Sequence, residues 1–334
     1  MPSRRRALLI LSVLVGLASL SLLIALAAGS LPVSATDVVH ALAGKPDGLA
    51  GEVISGLRLP RALAAFACGG LLALAGALMQ VLLRNPLADP YVLGISGGAA
   101  VGALSAMLAG LTLTLMNLAA FAGALVVMLL VFGLAHGDNS WTRSRLLLTG
   151  VIVAAGCGAL VALILSIAPE DGLRGMLFWL MGDVSHAITP WPALIVLAAG
   201  VMVTLPFARE LNLLARGDTL AHALGVSVKH IRGGIYLLAS LLTAVAVTTA
   251  GSIGFIGLVV PHLVRLALSR LGWGNDQRLL LPASALAGGS LLVLADTLAR
   301  TVISPQQLPV GVLTALLGVP VFLFLLGHQP NERP

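Results

Sequence analysis

The chain has 334 residues, of which 58% are hydrophobic and 10% are charged. A soluble domain carries roughly 25% charged residues, so this composition excludes a soluble enzyme, a disulfide-stapled scaffold and a nucleic-acid-binding protein. At about 20 apolar residues per crossing of a bilayer, the chain has room for about ten membrane helices in one domain, residues 1–334.

Stretches without charged residues predict the helices in chain order. Arg4–Arg6 precede the uncharged stretch Ala7–Ala28, which is longer than the apolar region of a signal peptide and predicts a retained first helix. Five of the other predicted spans are single helices: Ala62–Leu83, Leu146–Ala168, Ile188–Ala208, Leu279–Leu298 and Leu308–Leu326. Tyr91–Ala135 is predicted to hold two helices with a turn near Gly110–Asn117. Gly233–Val264 is predicted to hold two more, which divide at Gly251–Ser252, and the second of them runs on to Leu268. The fold class predicted is an all-α integral membrane protein with ten transmembrane helices.

The basic residues predict the orientation of these helices. With ten spans both termini lie on one side, and the loops of that side hold all but five of the 19 lysines and arginines. Cytoplasmic loops carry the excess of basic residues, so both termini are expected in the cytoplasm. The five on the opposite side are Lys45, Arg58, Arg61, Arg174 and Arg300.

The sequence lacks two common motifs of phosphate and metal sites. It has no GxxxxGK[ST] phosphate-binding loop and no HExxH. Cys68 and Cys157 lie in apolar runs without CxxC spacing and are expected to be packing residues, so no metal or other cofactor is expected in this chain. Asp296 lies four residues before Arg300, a spacing typical of an ion pair within a helix. Without an acidic relay inside the membrane, energy coupling is expected to come from another polypeptide.

The longest cytoplasmic loop, Arg209–Arg232, is amphipathic. Asp218 is predicted to cap a short helix that starts near Thr219, and Gly225 to end it. Two interpretations remain open for this helix: a rigid lever for an ATPase, or an ordinary interfacial helix.

Five motifs resemble the iron-chelate and vitamin B12 class of ABC importer permeases. They are Leu57–Arg61 (LRLPR), Arg84–Pro90 with Leu93–Ala99 (RNPLADP and LGISGGA), Gly254–His262 (GFIGLVVPH), Ala295–Arg300 (ADTLAR) and Leu308–Thr314 (LPVGVLT). The resemblance extends from about Arg58 to Leu326, in the order of the family's motifs. It implies a fold like that of the vitamin B12 permease in the bacterial inner membrane. It also implies a second copy of the chain, two cytoplasmic ATPase subunits that bind ATP and Mg²⁺, and a periplasmic binding protein.

The same resemblance implies roles for individual residues. Arg58, Arg61 and Arg300 would bind acidic side chains of the binding protein; the alternatives are interfacial anchors or, for Arg300, an ion pair with Asp296. The resemblance assigns the cytoplasmic gate to Asn85, Leu87, Arg143 and Ser144, although Arg143 departs from the small hydroxyl residue that is common there. It assigns the ATPase coupling helix to Gly217, Asp218, Leu224 and Gly225.

The substrate implied is a bulky metal chelate, with haem or a ferric siderophore favoured and cobalamin close behind. Side chains that could line its path are Met79, Gln80, Arg174, Met176, Phe178 and Trp179; packing is the equal alternative for each. Two other functions remain open: a proton-coupled secondary carrier, disfavoured by the missing acidic relay, and a non-transporting membrane scaffold.

Overall fold

The computed structural model describes residues 4–29, 31–45, 48–135, 142–185, 187, 189–303 and 306–327, and every regular element in these ranges is helical. The α-helices are α1 (Arg4–Ala27), α2 (Ala35–Leu42), α3 (Gly48–Val53), α4 (Leu59–Leu83), α5 (Ile95–Leu108), α6 (Leu113–Ala135), α7 (Arg143–Ile167), α8 (Glu170–Met181), α9 (Trp191–Thr204), α10 (Ala208–Arg216), α11 (Asp218–Ala223), α12 (Val228–Ala250), α13 (Ile256–Arg270), α14 (Gln277–Thr301) and α15 (Val310–Gly327). A π-helical turn, Ile54–Arg58, joins α3 to α4. Short 3-10 segments are Pro90–Leu93 and Leu205–Phe207.

The chain is a multi-pass membrane protein. Within the described residues, seven helical stretches are long and apolar enough to cross a membrane, and two shorter apolar helices accompany them. The seven are Arg5–Ala27, Gly48–Leu83, Leu113–Ala135, Arg143–Ile167, Trp191–Arg216, Val228–Ala250 and Gln277–Thr301, and the shorter two are Ile95–Leu108 and Val310–Phe324. A total of ten crossings therefore stays a prediction. Ile188, the predicted start of the sixth span, and Arg333, one of the basic residues counted, lie outside the described residues.

Helix α4 is the centre of the bundle. Nearly every residue from Ala62 to Leu83 is buried, and α4 packs against α9, α12, α13 and α14. Glycines permit these contacts: a Cβ on Gly69 would overlap the carbonyl of Gly288 in α14, and one on Gly76 would overlap the carbonyl of Gly257 in α13. Close backbone approach of this kind is how helices associate where lipid supplies no hydrophobic drive.

Several helices begin or end at one junction inside the bundle. Helix α12 ends at Ala250, as the predicted division at Gly251–Ser252 requires. The amide of Asp183, just after α8, donates to the Ala250 carbonyl at 2.8 Å. Phe255, immediately before α13, has a left-handed backbone with φ of +70°, an unusual conformation for an aromatic residue. Ala168 and Pro169 separate α8 from α7, so Phe178 and Trp179 lie on a helix that was not among the predicted spans.

Helices α1, α7 and α15 form the periphery. Most of their apolar side chains are exposed in the single chain, including Leu148 and Ile152 of α7 and Leu316 and Leu323 of α15. Their exposed surface is compatible with contact to lipid or to a second membrane-embedded chain.

Candidate functional site

The two ends of α4 carry the two groups of charged residues that the sequence analysis selected. Arg61 lies in its first turn and Arg84 directly follows its last residue. A helix of 25 residues is about 37 Å long, so the two groups lie at opposite ends of the bundle.

At the first end, Arg58, Arg61 and Arg300 line one cavity of about 640 Å³, together with Ser185 and Gln307. We call it the arginine cavity. The three predicted docking residues are thus brought together although Arg300 follows Arg61 by more than 230 positions in the chain.

Arg58 is not an exposed anchor. It is only 5% exposed, and its guanidinium donates to the carbonyls of Leu26 at 2.7 Å, Ala27 at 3.1 Å and Leu31 at 2.7 Å. These carbonyls lie at the end of α1 and just beyond it, where a helix leaves its last carbonyls unpaired. Arg58 therefore satisfies the end of α1, and for this arginine both binding-protein docking and interfacial anchoring stay predictions.

Arg61 is the principal partner of Asp296. Its Nε and Nη2 donate to the carboxylate at 2.9 Å and 2.8 Å, a bidentate pair, and its Nη1 donates to Oε1 of Gln307 at 2.7 Å. The predicted pair within α14 is present only as a long contact, 3.9 Å between Arg300 Nε and Asp296 Oδ2. Nη2 of Arg300 donates to the carbonyl of Ala25 instead. The helix spacing identified a real neighbour but missed the stronger partner in α4.

At the other end, one carboxylate binds two arginines. Oδ2 of Asp218 accepts from Nη2 of Arg143 and from Nη2 of Arg232, both at 2.6 Å. We call Arg143, Asp218 and Arg232 the Asp218 node. It joins a predicted gate residue in α7 to a predicted coupling residue in α11. The sequence alone does not connect these two predicted groups.

Asp218 does not cap α11. The helix begins at Asp218 itself, and the cap position is Gly217, which makes no side-chain hydrogen bond. The carboxylate instead accepts from the two arginines, and each of these bonds joins two opposite charges. Gly225 follows the end of α11 with φ of +82°, as predicted for a terminating glycine. Leu224, which lies between the end of α11 and Gly225, is 53% exposed.

The segment between α4 and α5 holds the other predicted gate residues. Arg84 has φ of +50°, and Oδ1 of Asn85 accepts from the amide of Leu87 at 2.9 Å, which fixes a tight turn. Asp89 accepts from the amide of Tyr91 at 2.7 Å, and burial raises the pKa of Asp89 to about 6. Ser144 is exposed in the first turn of α7, next to Arg143.

The residues proposed to line a substrate path divide into two groups. Met79, Met176 and Trp179 are buried, and Gln80 donates to the carbonyl of Leu258 and accepts from Arg265, at 3.1 Å and 2.8 Å. These four have internal partners, which favours the packing alternative for them. Arg174 is exposed, with its guanidinium 5.7 Å from the ring centroid of Phe178.

Residues 8–328 match the FecCD transport family. The chain belongs to the FecCD transport family. The resemblance inferred from the five motifs is therefore confirmed over nearly the whole chain.

Proteins similar to this chain have names that give different substrates. The hemin transport system permease protein HmuU of Yersinia pestis is 44% identical over 287 residues, which cover 83% of this chain and 84% of HmuU. The cobalamin import system permease protein BtuC of Halobacterium salinarum is 40% identical over 306 residues, 89% of this chain and 80% of BtuC. A solved metal-chelate type ABC transporter in an inward-facing conformation is 30% identical, with a TM-score of 0.82 over 97% of this chain and 100% of that one.

Proposed function

We propose that this FecCD-family chain is the permease subunit of an ATP-binding-cassette importer that moves a bulky metal chelate from the periplasm to the cytoplasm. The observation that carries the proposal is the pairing of the arginine cavity and the Asp218 node at opposite ends of the buried helix α4. One end offers guanidinium groups to an acidic partner, and the other offers a short exposed helix to a second partner.

The orientation follows from the basic residues. The Asp218 node lies among the loops that hold most of the arginines, so this end faces the cytoplasm and the arginine cavity faces the periplasm. Ten crossings with both termini in the cytoplasm, in the bacterial inner membrane, are consistent with this placement.

Three surfaces of the chain indicate the proposed partners: helix α11, the arginine cavity, and the apolar sides of α7 and α15. Helix α11 with the exposed Leu224 fits a groove on each of two ATPase subunits, which bind ATP and Mg²⁺ and perform the hydrolysis. The arginine cavity receives a carboxylate of a periplasmic binding protein, because arginine forms bidentate bonds with carboxylates and remains charged. The apolar surfaces of α7 and α15 would pair with those of a second copy around a central path, within the lipid bilayer.

Haem or a ferric siderophore is the favoured cargo. The relative at 44% identity carries hemin in its name, and the exposed Arg174 could meet the propionates of haem or other chelate carboxylates. Cobalamin is the near alternative because a relative at 40% identity is a cobalamin permease.

Transport in proteoliposomes tests the proposal. The chain, its cognate ATPase subunits and its binding protein are reconstituted together, and uptake of hemin, a ferric hydroxamate siderophore and cyanocobalamin is measured with and without ATP. We expect ATP-dependent uptake of one of the three and no uptake without the ATPase. Uptake that follows an imposed proton gradient without ATP would contradict the proposal and favour a proton-coupled carrier.

A further inference from the structure

The Asp218 node connects the starts of three helices at this end of the bundle. Arg143 is the first residue of α7, Asp218 the first residue of α11, and Arg232 lies near the start of α12. Arg84, after the last residue of α4, lies close enough that a Cβ on Gly217 would be 3.4 Å from its Nη2. Three chain segments therefore meet at one carboxylate, and Arg84 lies beside the preceding residue, Gly217.

The geometry of the node is unusual because one oxygen carries both ion pairs. Arg143 and Arg232 each place a nitrogen 2.6 Å from Oδ2 of Asp218, while Oδ1 is buried and has no hydrogen-bond partner among the residues that the structure describes. Both arginine side chains are more than two-thirds buried, so these bonds are weakly screened by solvent. A displacement of Oδ2 by an ångström lengthens one or both bonds toward the limit of about 3.5 Å at which a hydrogen bond is lost.

We propose that Asp218 is a positioning residue that sets the start of α7 according to the position of α11. The proposal rests on the proposed function, in which an ATPase moves α11. While Asp218 holds Arg143, the first turn of α7 with Ser144 is fixed in its present place. Movement of α11 carries Oδ2 away from one arginine and releases or redirects that turn.

The test uses the complete importer complex and three variants of the node. Asp218→Asn keeps the shape and removes the charge, Asp218→Glu keeps the charge, and the double variant Arg143→Asp with Asp218→Arg exchanges the two charges. The matched control is Arg145→Ser, which removes an exposed arginine two residues further along α7.

Two quantities are measured. One is the number of ATP molecules hydrolysed per substrate transported, with the substrate that the uptake panel identifies. The other is the spin-label distance between the two copies at Leu148→Cys, a position 63% exposed in α7, with and without ATP and vanadate.

We expect Asp218→Asn to raise the ATP-to-substrate ratio by about tenfold, a factor within the usual range for coupling between two sites. The nucleotide-dependent change in spin-label distance should disappear in the same variant. Asp218→Glu should restore much of both readouts. The charge exchange should restore only part of them, because Arg232 then faces a second arginine. Arg145→Ser should match the wild type.

Two results would overturn the proposal. One is a wild-type ratio and distance change in Asp218→Asn. The other is a loss of assembly in Asp218→Asn that neither the glutamate nor the charge exchange restores, since that pattern belongs to a merely structural ion pair. A wild-type complex without ATP-dependent uptake of any panel substrate would instead remove the proposed function, and the role of Asp218 with it.

Discussion

Asp296 is shared between two arginines that lie on different helices. Its side chain is 4% exposed, that of Arg61 15% and that of Arg300 11%. A carboxylate so enclosed neutralises part of the charge of the arginine cavity. In the proposed docking, an acidic side chain of a binding protein would meet guanidinium groups that already have an internal partner, and the two carboxylates would compete for the same donors.

Loss of the Asp296 charge should destabilise the fold. Asp296→Asn leaves Arg61 buried without its carboxylate, and breaking a mostly buried ion pair on one side costs about 3 kcal/mol. We expect a lower melting temperature for the purified chain in detergent. Glu52→Gln, an exposed acidic residue near the same end, is the control and should melt as the wild type does; equal melting of the two variants would show that the pair contributes nothing.

The Asp89 carboxyl should make stability depend on pH. Burial raises its pKa from the ordinary 3.8 to about 6, so the folded chain holds this proton more tightly than the unfolded chain. Ionisation of the buried carboxyl therefore lowers the free energy of unfolding. The loss is absent below pH 4, grows between pH 4 and 6, and is complete above pH 6.

Asp89→Asn should remove this cost while its side-chain oxygen still accepts from the Tyr91 amide. We expect the variant to be more stable than the wild type by about 2 kcal/mol at pH 7.5 and equally stable near pH 4. Chemical unfolding at both pH values measures the difference. A gain of the same size at both values would contradict the interpretation.

At the scale of the helices, the glycines of α4 decide how close its neighbours come. Gly76→Ala would place a methyl group into the carbonyl of Gly257, which forces α4 and α13 apart and costs about 1–3 kcal/mol. The matched control is Gly133→Ala in α6, where the space around a Cβ is open. Thermal unfolding should show a loss for Gly76→Ala and no loss for Gly133→Ala, since alanine is the better helix former.

The helices were predictable from the sequence, while their side-chain partners were not. A bilayer excludes charge, so a charge-free stretch located α4. The turn before α6 and the break after Ala250 followed from charge-free stretches that are too long for a single crossing. The short helix α8 and the π-turn before α4 lie in segments whose composition differs little from a loop. Asp218 shows the limit most clearly, because a local capping rule was applied to a carboxylate whose partners lie 75 and 14 residues away.

The candidate site was predictable as a set of residues, while its connections had to come from the structure. The motifs selected Arg58, Arg61 and Arg300, and the fold brings them to one cavity. Arg232 and Gln307 had no local signal, since their roles depend on contacts between distant segments. Residue type alone indicates the predicted path residues. It does not distinguish a methionine that packs in the core from one that lines a substrate path.

At the scale of the whole assembly, Leu224 should separate folding from coupling. Because it is 53% exposed, Leu224→Asp should leave the melting temperature unchanged. In the complex the new carboxylate would enter the contact with the ATPase, and burial of an unpaired charge costs about 3–5 kcal/mol. We expect loss of ATPase binding in a co-purification assay.

Leu271→Asp is the control for this change, since Leu271 is similarly exposed in the turn between α13 and α14. It should co-purify with the ATPase as the wild type does. Normal binding by Leu224→Asp would show that α11 is not the coupling element.

The glycine contacts of α4 limit which parts of the molecule can move. The backbones of α13 and α14 pack directly against α4 at its glycines, so we expect the three helices to move as one body. We expect conformational change in the outer helices and in the junctions around them. Amide hydrogens of α4 should consequently exchange with solvent most slowly, and those of α7 and α11 should respond first when ATP is added.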